Sequence, residues 1–281
     1  MHLCQLFILE ASPDCNYAEL HPKCPVLDPR RFSGLDTSKR LDEDSMVRLA
    51  VHAYADFGFR GYVGFHYHNE PLLSRNLLLR VIARVRAKVR DARFLLWTNG
   101  SLITRRNAAE LRAFDGVVIT NYDNRDFGFL HRRFKQFNFV DVIFDDRRDG
   151  RLLGLREQRC VRPFTEFVVD CFGNVHVCCA DWRGLASPGN VFRDGLDLLV
   201  TRFAEIRDRV GGSTMASDAP EVCLHCPRPL GEIDHLVPEV REAALASIRS
   251  DALIAERRRV RNCVDPVPVS QRGAGRLNGT T

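Results

Sequence analysis

Cysteine is the residue most able to do chemistry in this chain of 281 residues, and its ten copies are unevenly spread. Cys160 and Cys178 are separated by seventeen residues that include Gly173, and "CLHC" supplies a further C-x2-C pair, Cys223 and Cys226. Four thiolates from two separated segments suit a tetrahedral zinc or a [4Fe-4S] cluster, and spacing alone does not choose between them. A second pair, Cys15 and Cys24, lies nine positions apart in "DCNYAELHPKCP", directly after an apolar run. Two thiols in such a loop leave a third ligand to be found. Cys171 and Cys179 alternate away from the hairpin ligand position and are expected to be small buried hydrophobes, and Cys4 and Cys263 stand apart.

The chain's start, "MHLCQLFILEASPDC", has no basic n-region, and its apolar stretch is too short for a signal peptide or a membrane span. A cytoplasmic, reducing setting is therefore expected, which favours metal or redox chemistry over a disulfide framework. The formal charge of +5 arises from 41 basic and 36 acidic residues. Basic runs such as "RVRAKVR" and "ERRRVR" have no interleaved aromatics or recognition motif, so solvated helix faces are expected and a nucleic-acid partner is not. With 45% hydrophobic residues, the chain can bury one sizeable core.

The elements that must position these thiols alternate in type. "QLFILEA", "GYVGFHYH", "RFLLWTNG", "VVITNYD" and "FVDVIFDD" read as strands; "SKRLDEDSMVRLAVHAYADFG", "RNLLLRVIARVRAKVRD" and "TRRNAAELRAFDG" read as the helices between the first four. This alternation predicts an α/β fold with a parallel sheet and helices outside it, open or closed into a partial barrel. Ligands of such sheets bind at the carboxyl ends of the strands. The loops "CNYAELHPKC", "HNEP", "TNG" and "TNYD" should thus share one mouth. Further on, "FTEFVVDCFGNVHVCCADW" predicts a β-hairpin turning at Phe172, Gly173 and Asn174, and "GLDLLVTRFAEIRDRV" an amphipathic helix. A helical stretch, "PEVREAALASIRSDALIAERRRV", precedes a tail from about Val264 whose composition predicts disorder.

Taken together, Cys160, Gly173 ahead of Cys178, the "GN" of Gly189 and Asn190, and the Cys223/Cys226 pair resemble the twitch domain, the shortened SPASM domain, of radical S-adenosylmethionine (SAM) enzymes. "VGFHYHNEPLLSRNL" is similar to that family's strand and loop ending in G-E-P, with Asn69 in place of the Gly, and "LLWTNGSLIT" to its "TNG" segment. The resemblance covers roughly residues 5 to 230. It implies a partial (β/α)6 barrel over residues 1–155, a twitch-type iron–sulfur subdomain of hairpin plus helix over 156–232, a C-terminal helix over 233–263 and the tail over 264–281. Cys160, Cys178, Cys223 and Cys226 would hold one auxiliary [4Fe-4S] cluster. Glu70 would accept hydrogen bonds from the methionyl amine of SAM, its other reading being a helix N-terminal carboxylate. Thr98, Asn99 and Ser101, with Asn121, fall where the family lines the nucleoside pocket.

The family's radical-generating cluster uses C-x3-C-x2-C. Here Cys15 and Cys24 keep the ends, while the middle cysteine is absent and the loop is longer. Glu19 occupies the place of the middle ligand; His21 keeps the two-residue gap to Cys24 and is the first choice for the third ligand, since histidine also ligates cluster iron. The implied activity is hydrogen abstraction by a 5'-deoxyadenosyl radical from a small polar substrate, a sugar or aminocyclitol alcohol, with a flavodoxin or ferredoxin as reductant. Asp146, Arg147 and Arg148, after the fifth strand, are candidate substrate contacts. Two other readings stay open: a peptide-modifying maturase, and an iron–sulfur protein that has lost the SAM-cleaving cluster.

Overall fold

The computed structural model describes residues 4–20, 24–123, 125–131, 137–141, 162–179 and 181–211. Seven strands form one sheet: β1 (Leu6–Leu9), β2 (Tyr62–Gly64), β3 (Arg93–Thr98), β4 (Gly116–Asn121), β5 (Phe137–Asp141), β6 (Glu166–Val169) and β7 (Val175–His176). Their order across the sheet is β5-β4-β3-β2-β1-β6-β7, with every pair parallel except the β6–β7 hairpin. The helices are α1 (Glu43–Ala55), α2 (Arg75–Arg86), two single turns α3 (Gly128–His131) and α4 (Arg162–Thr165), and α5 (Leu196–Gly211). The α/β class, the parallel sheet, the strand order along the chain and the hairpin agree with the sequence reading.

Alternation along the strands sorts side chains onto two faces. Phe7, Leu9, Val63, Phe94, Leu96, Val117, Phe167 and Val169 point to one face and pack against Met46 and Ala50 of α1, Leu78, Ile82 and Val85 of α2, and Leu199 and Phe203 of α5. Leu6, Ile8, Tyr62, Leu95, Val118 and Val168 point to the other, where Tyr67, Trp97 and Cys179 join them. Both faces are buried, which is why these strands read as continuous apolar runs.

Helix α1 starts where Asp42 accepts a hydrogen bond from the Ser45 amide at 2.8 Å, an N-cap that supplies an acceptor to an otherwise unpaired amide. In α2 the buried residues Leu78, Val81, Ile82 and Val85 recur with the helical period. Its opposite face carries the basic residues, and these are paired: Arg80 and Arg84 with Glu43 at 2.7 and 2.9 Å, Arg86 with Asp115 at 2.8 Å. The third expected helix is only a 3₁₀ segment, Ala108–Ala113. Thr104 and Asn107 cap each other's backbone amides just ahead of it, so the segment begins only at Ala108.

Candidate functional site

The loops that follow β1, β2, β3 and β4 converge at the carboxyl edge of the sheet, and Glu70 is their centre. Its side chain is buried. Oε1 accepts from the Leu72 amide at 3.0 Å and the Thr98 hydroxyl at 2.7 Å, and Oε2 accepts from the Asn99 amide at 2.8 Å. The Leu72 contact makes Glu70 the N-cap of a short 3₁₀ turn, so the capping reading of this residue holds as well. Its own amide donates to the Asp14 carbonyl at 2.8 Å, which ties the β2 loop to the residue before Cys15. Burial raises the pKa of this carboxyl, and the three hydrogen bonds oppose that shift. A carboxylate offers about four acceptor positions. No described residue takes the fourth, on Oε2.

Asn16 extends the network. It receives a hydrogen bond from Asn99 Nδ2 at 3.0 Å and donates to the Ser101 hydroxyl at 2.8 Å. Gly100 between them has φ +75°, and a Cβ there would stand 2.6 Å from the ring of Phe127, so the "TNG" turn requires glycine. Tyr17 donates to Asp123 at 2.5 Å, and Arg125 joins Asp123 to the Ser101 carbonyl. Asn121 is spent on its own loop: its amide group bonds the backbone N–H and C=O of Arg125. Asn69, in the family's glycine position, folds back to accept from the Tyr67 amide and donate to the Phe65 carbonyl, a local turn that shapes the β2 loop.

Cys15 is half-buried beside this network, and Cys24 is buried. Burial pushes the Cys15 thiol up to about 11, with the charges of Glu70 and Cys24 adding to the rise and Tyr17 and Asn99 opposing it. The two thiols and Glu70 are therefore electrostatic neighbours. Glu19 is exposed in the turn Ala18–Leu20. Among the described residues no three His, Cys, Asp or Glu side chains converge as a metal site. His21 lies outside the described residues, as do Asp146, Arg147, Arg148, Cys160, Cys223 and Cys226. Cys4 is buried away from the loop, donates to the Pro163 carbonyl at 3.2 Å and has its pKa raised to about 12, chiefly by burial.

On the other side of β1 stands the hairpin that carries Cys178, itself buried. Gly173 at φ +84° makes the turn, and a Cβ there would meet Phe192 at 2.8 Å. Asp170 organises it: its Oδ1 accepts from the amides of Phe172 and Asn174 at 2.8 and 2.9 Å, and its Oδ2 lies 3.0 Å from His176 Nε2. His176 Nδ1 lies 2.7 Å from the Asp181 carbonyl. The carbonyl of Asp181 and the carboxylate of Asp170 both act as acceptors, an arrangement that favours hydrogen on both ring nitrogens. Burial alone would lower the His176 pKa, but the hydrogen bond and charge of Asp170 raise it. Both ring nitrogens are engaged, and the ring braces the hairpin.

A second buried acid joins the two sides. Glu10, 0% exposed, follows β1 as Asp170 follows β6, and the register Leu9 to Val169 sets them side by side. Glu10 pairs with Arg31 at 2.5 Å and accepts from the amides of His68 and Cys171. The hydroxyl of Tyr67 and Nε of Arg31 are buried and take no hydrogen bond from any described residue. Glu10, Arg31, Asp170 and Asp181 were not singled out from the sequence. The one available signal was an acid closing an apolar strand run, in "LFILE" and "FVVD".

Residues 160–227 match the family model SPASM, described as an iron-sulfur cluster-binding domain. An S-adenosyl-L-methionine-dependent 2-deoxy-scyllo-inosamine dehydrogenase from Niallia circulans is 22% identical over 165 residues, covering 53% of this chain and 66% of that protein, just under two thirds of its length. The crystal structure of BtrN in complex with AdoMet and 2-DOIA matches with a TM-score of 0.59 at 19% identity, over 81% of this chain and 95% of that one. An open conformation of BtrN gives a TM-score of 0.55 at 19% identity, over 80% and 93%. These two likenesses are of fold.

Proposed function

For a chain that is a relative of the radical SAM dehydrogenases and carries a SPASM-type iron–sulfur domain, we propose an oxidoreductase that removes hydrogen from a small polar substrate, a sugar or aminocyclitol alcohol. The observation that carries the reading is the Glu70 network, which draws the Cys15 loop, the β2 loop and the "TNG" turn into one buried polar arrangement. Bound there, SAM and a [4Fe-4S] cluster would supply the radical chemistry, while Glu70, Thr98, Asn99 and Ser101 would position the reactants and exclude water.

The residues present fit such a group as far as they are described. Cys15 and Cys24 are two thiols of one loop, and burial keeps the Cys15 thiol protonated until a metal's charge draws off its proton. His21 is assigned as the third ligand. The open acceptor position of Glu70 meets the methionyl ammonium, and an ammonium beside this buried carboxyl favours its ionised form. Thr98, Asn99 and Ser101 line the nucleoside side; Asn121 closes that side indirectly, by fixing the loop to Arg125. Tyr67 and Arg31 each hold a buried donor with no described partner, which suits a ligand rich in hydroxyls.

Cys178, with Cys160, Cys223 and Cys226, holds one auxiliary cluster within the 156–232 segment. Residues 1–155 are read as the partial (β/α)6 barrel. Among the described residues no helix is long and apolar enough to cross a membrane. A cytoplasmic setting and a flavodoxin or ferredoxin as electron donor complete the proposal.

Anaerobic reconstitution with iron and sulfide, followed by iron counting and electron paramagnetic resonance with and without SAM, tests it. Two clusters are expected, one with a spectrum perturbed by SAM and lost in Cys15→Ala, Cys24→Ala and His21→Ala, with Glu19→Ala unaffected. A single SAM-blind cluster that depends only on Cys160, Cys178, Cys223 and Cys226 would remove the radical reading and leave a non-radical iron–sulfur protein.

A further inference from the structure

Neither Glu10 nor Arg31 is among the cluster or SAM ligands proposed above, yet three loops of the site end on their ion pair. Glu10 is 0% exposed and Arg31 is 2% exposed. Arg31 Nη2 donates to Glu10 Oε1 at 2.5 Å, and Arg31 Nη1 donates to the Pro13 carbonyl at 2.9 Å, two residues ahead of Cys15. The same Glu10 Oε1 accepts from the His68 amide at 3.1 Å, two residues ahead of Glu70. Glu10 Oε2 accepts from the Cys171 amide at 3.2 Å, on the hairpin that leads to Cys178. One ion pair therefore touches the backbone beside each of the three ligand-bearing segments.

The chain that follows Arg31 reinforces the connection. Phe32 sits edge-on to Phe172 with ring centroids 4.8 Å apart, Arg40 lies over the same Phe172 ring at 5.2 Å, and the Leu41 amide donates to the Cys171 carbonyl at 2.9 Å. The segment between Cys24 and α1 is thus laid along the hairpin and fixed at its start by Arg31. A purely structural buried ion pair tends to be replaceable by apolar side chains of similar volume. This one cannot be replaced in that way without releasing Pro13, His68 and Cys171 together, because each needs a polar partner.

We propose that Glu10 and Arg31 are positioning residues that hold the Cys15 loop, the Glu70 loop and the Cys178 hairpin in one fixed relation. The inference rests on the function proposed above for its meaning, but its test does not require the clusters. Hydrogen–deuterium exchange followed by mass spectrometry is measured on the full chain for the parent, Arg31→Met and the double variant Glu10→Leu/Arg31→Met. The peptides holding Asn16, His68 and Cys171 should exchange about tenfold faster or more in both variants, while α2 stays protected. The double variant should regain neither the parent's melting temperature nor that protection, because the backbone groups of Pro13, His68 and Cys171 stay unpaired in it. Recovery of loop protection in the double variant, or faster exchange spread evenly over α1 and α2, would make the pair a packing element and overturn the proposal. Should Arg31→Met not fold, Arg31→Lys, which keeps the charge and loses the second hydrogen bond, is read in the same way. Electron paramagnetic resonance of the reconstituted proteins separates the two ideas. A parent without a SAM-responsive cluster ends the functional reading and leaves the exchange result to decide the positioning role.

Discussion

The hairpin that carries Cys178 and the loop that carries Cys15 stand on neighbouring strands, β6 and β1, and are built by opposite means. The hairpin closes on buried charge: Asp170, His176 and Asp181 are each about fully buried and bonded to one another or to backbone amides. Apart from Arg31 on Pro13 and Asp123 on Tyr17, the Cys15 loop is held by neutral amides and hydroxyls at a more open edge, where Asn16 is exposed and Cys15 half-buried. The difference teaches how each side is prepared. The hairpin presents Cys178 from a frame of buried acids, His176 and turn amides, whereas the loop is held by contacts to Asn99, Ser101, Glu70 and the Arg31 guanidinium.

Variants can break or sharpen that contrast. The largest effect is expected from Asp170→Ala, which strands the His176 ring and two backbone amides in the interior. Breaking a buried pair in this way costs about 3–5 kcal/mol, read from urea unfolding. Gly173→Ala comes next, since it forces φ +84° on a residue with a Cβ and presses that atom on Phe192; about 1–3 kcal/mol is expected, read from the same curves. Glu70→Gln should leave the fold standing, because the amide keeps an oxygen to accept from Thr98. It should weaken SAM binding about tenfold or more by calorimetry, as a charge-assisted hydrogen bond is worth about 1.5–3 kcal/mol. Asn16→Ala is the smallest, about 0.5–1 kcal/mol, and would sharpen the comparison if it altered the SAM response of the cluster spectrum while the hairpin's stability was unchanged.

Much of this was legible in the sequence. Strands buried on both faces announce themselves as apolar runs, the hairpin turn is marked by Gly173 and Asn174, and the spacing of Cys160, Cys178, Cys223 and Cys226 marks the segment that matches SPASM. The loops carrying Cys15, Glu70 and Asn99 could be placed at one mouth because each follows a strand. What escaped was pairing at long range. Glu10 bonds partners 21, 58 and 161 positions away, and nothing local to "LFILE" names Arg31, His68 or Cys171. The expected helix after "TNG" is a 3₁₀ segment that begins only after the mutual capping of Thr104 and Asn107, a start that a periodicity count does not register.

The central claim is that a loop with two cysteines, rather than three, still supports radical chemistry. Its most direct test is the formation of 5'-deoxyadenosine from SAM by the reconstituted, reduced protein. That product is expected, with its loss in Cys15→Ala and Cys24→Ala and its persistence in Glu19→Ala. A protein that holds the iron of two clusters yet releases no 5'-deoxyadenosine would contradict it.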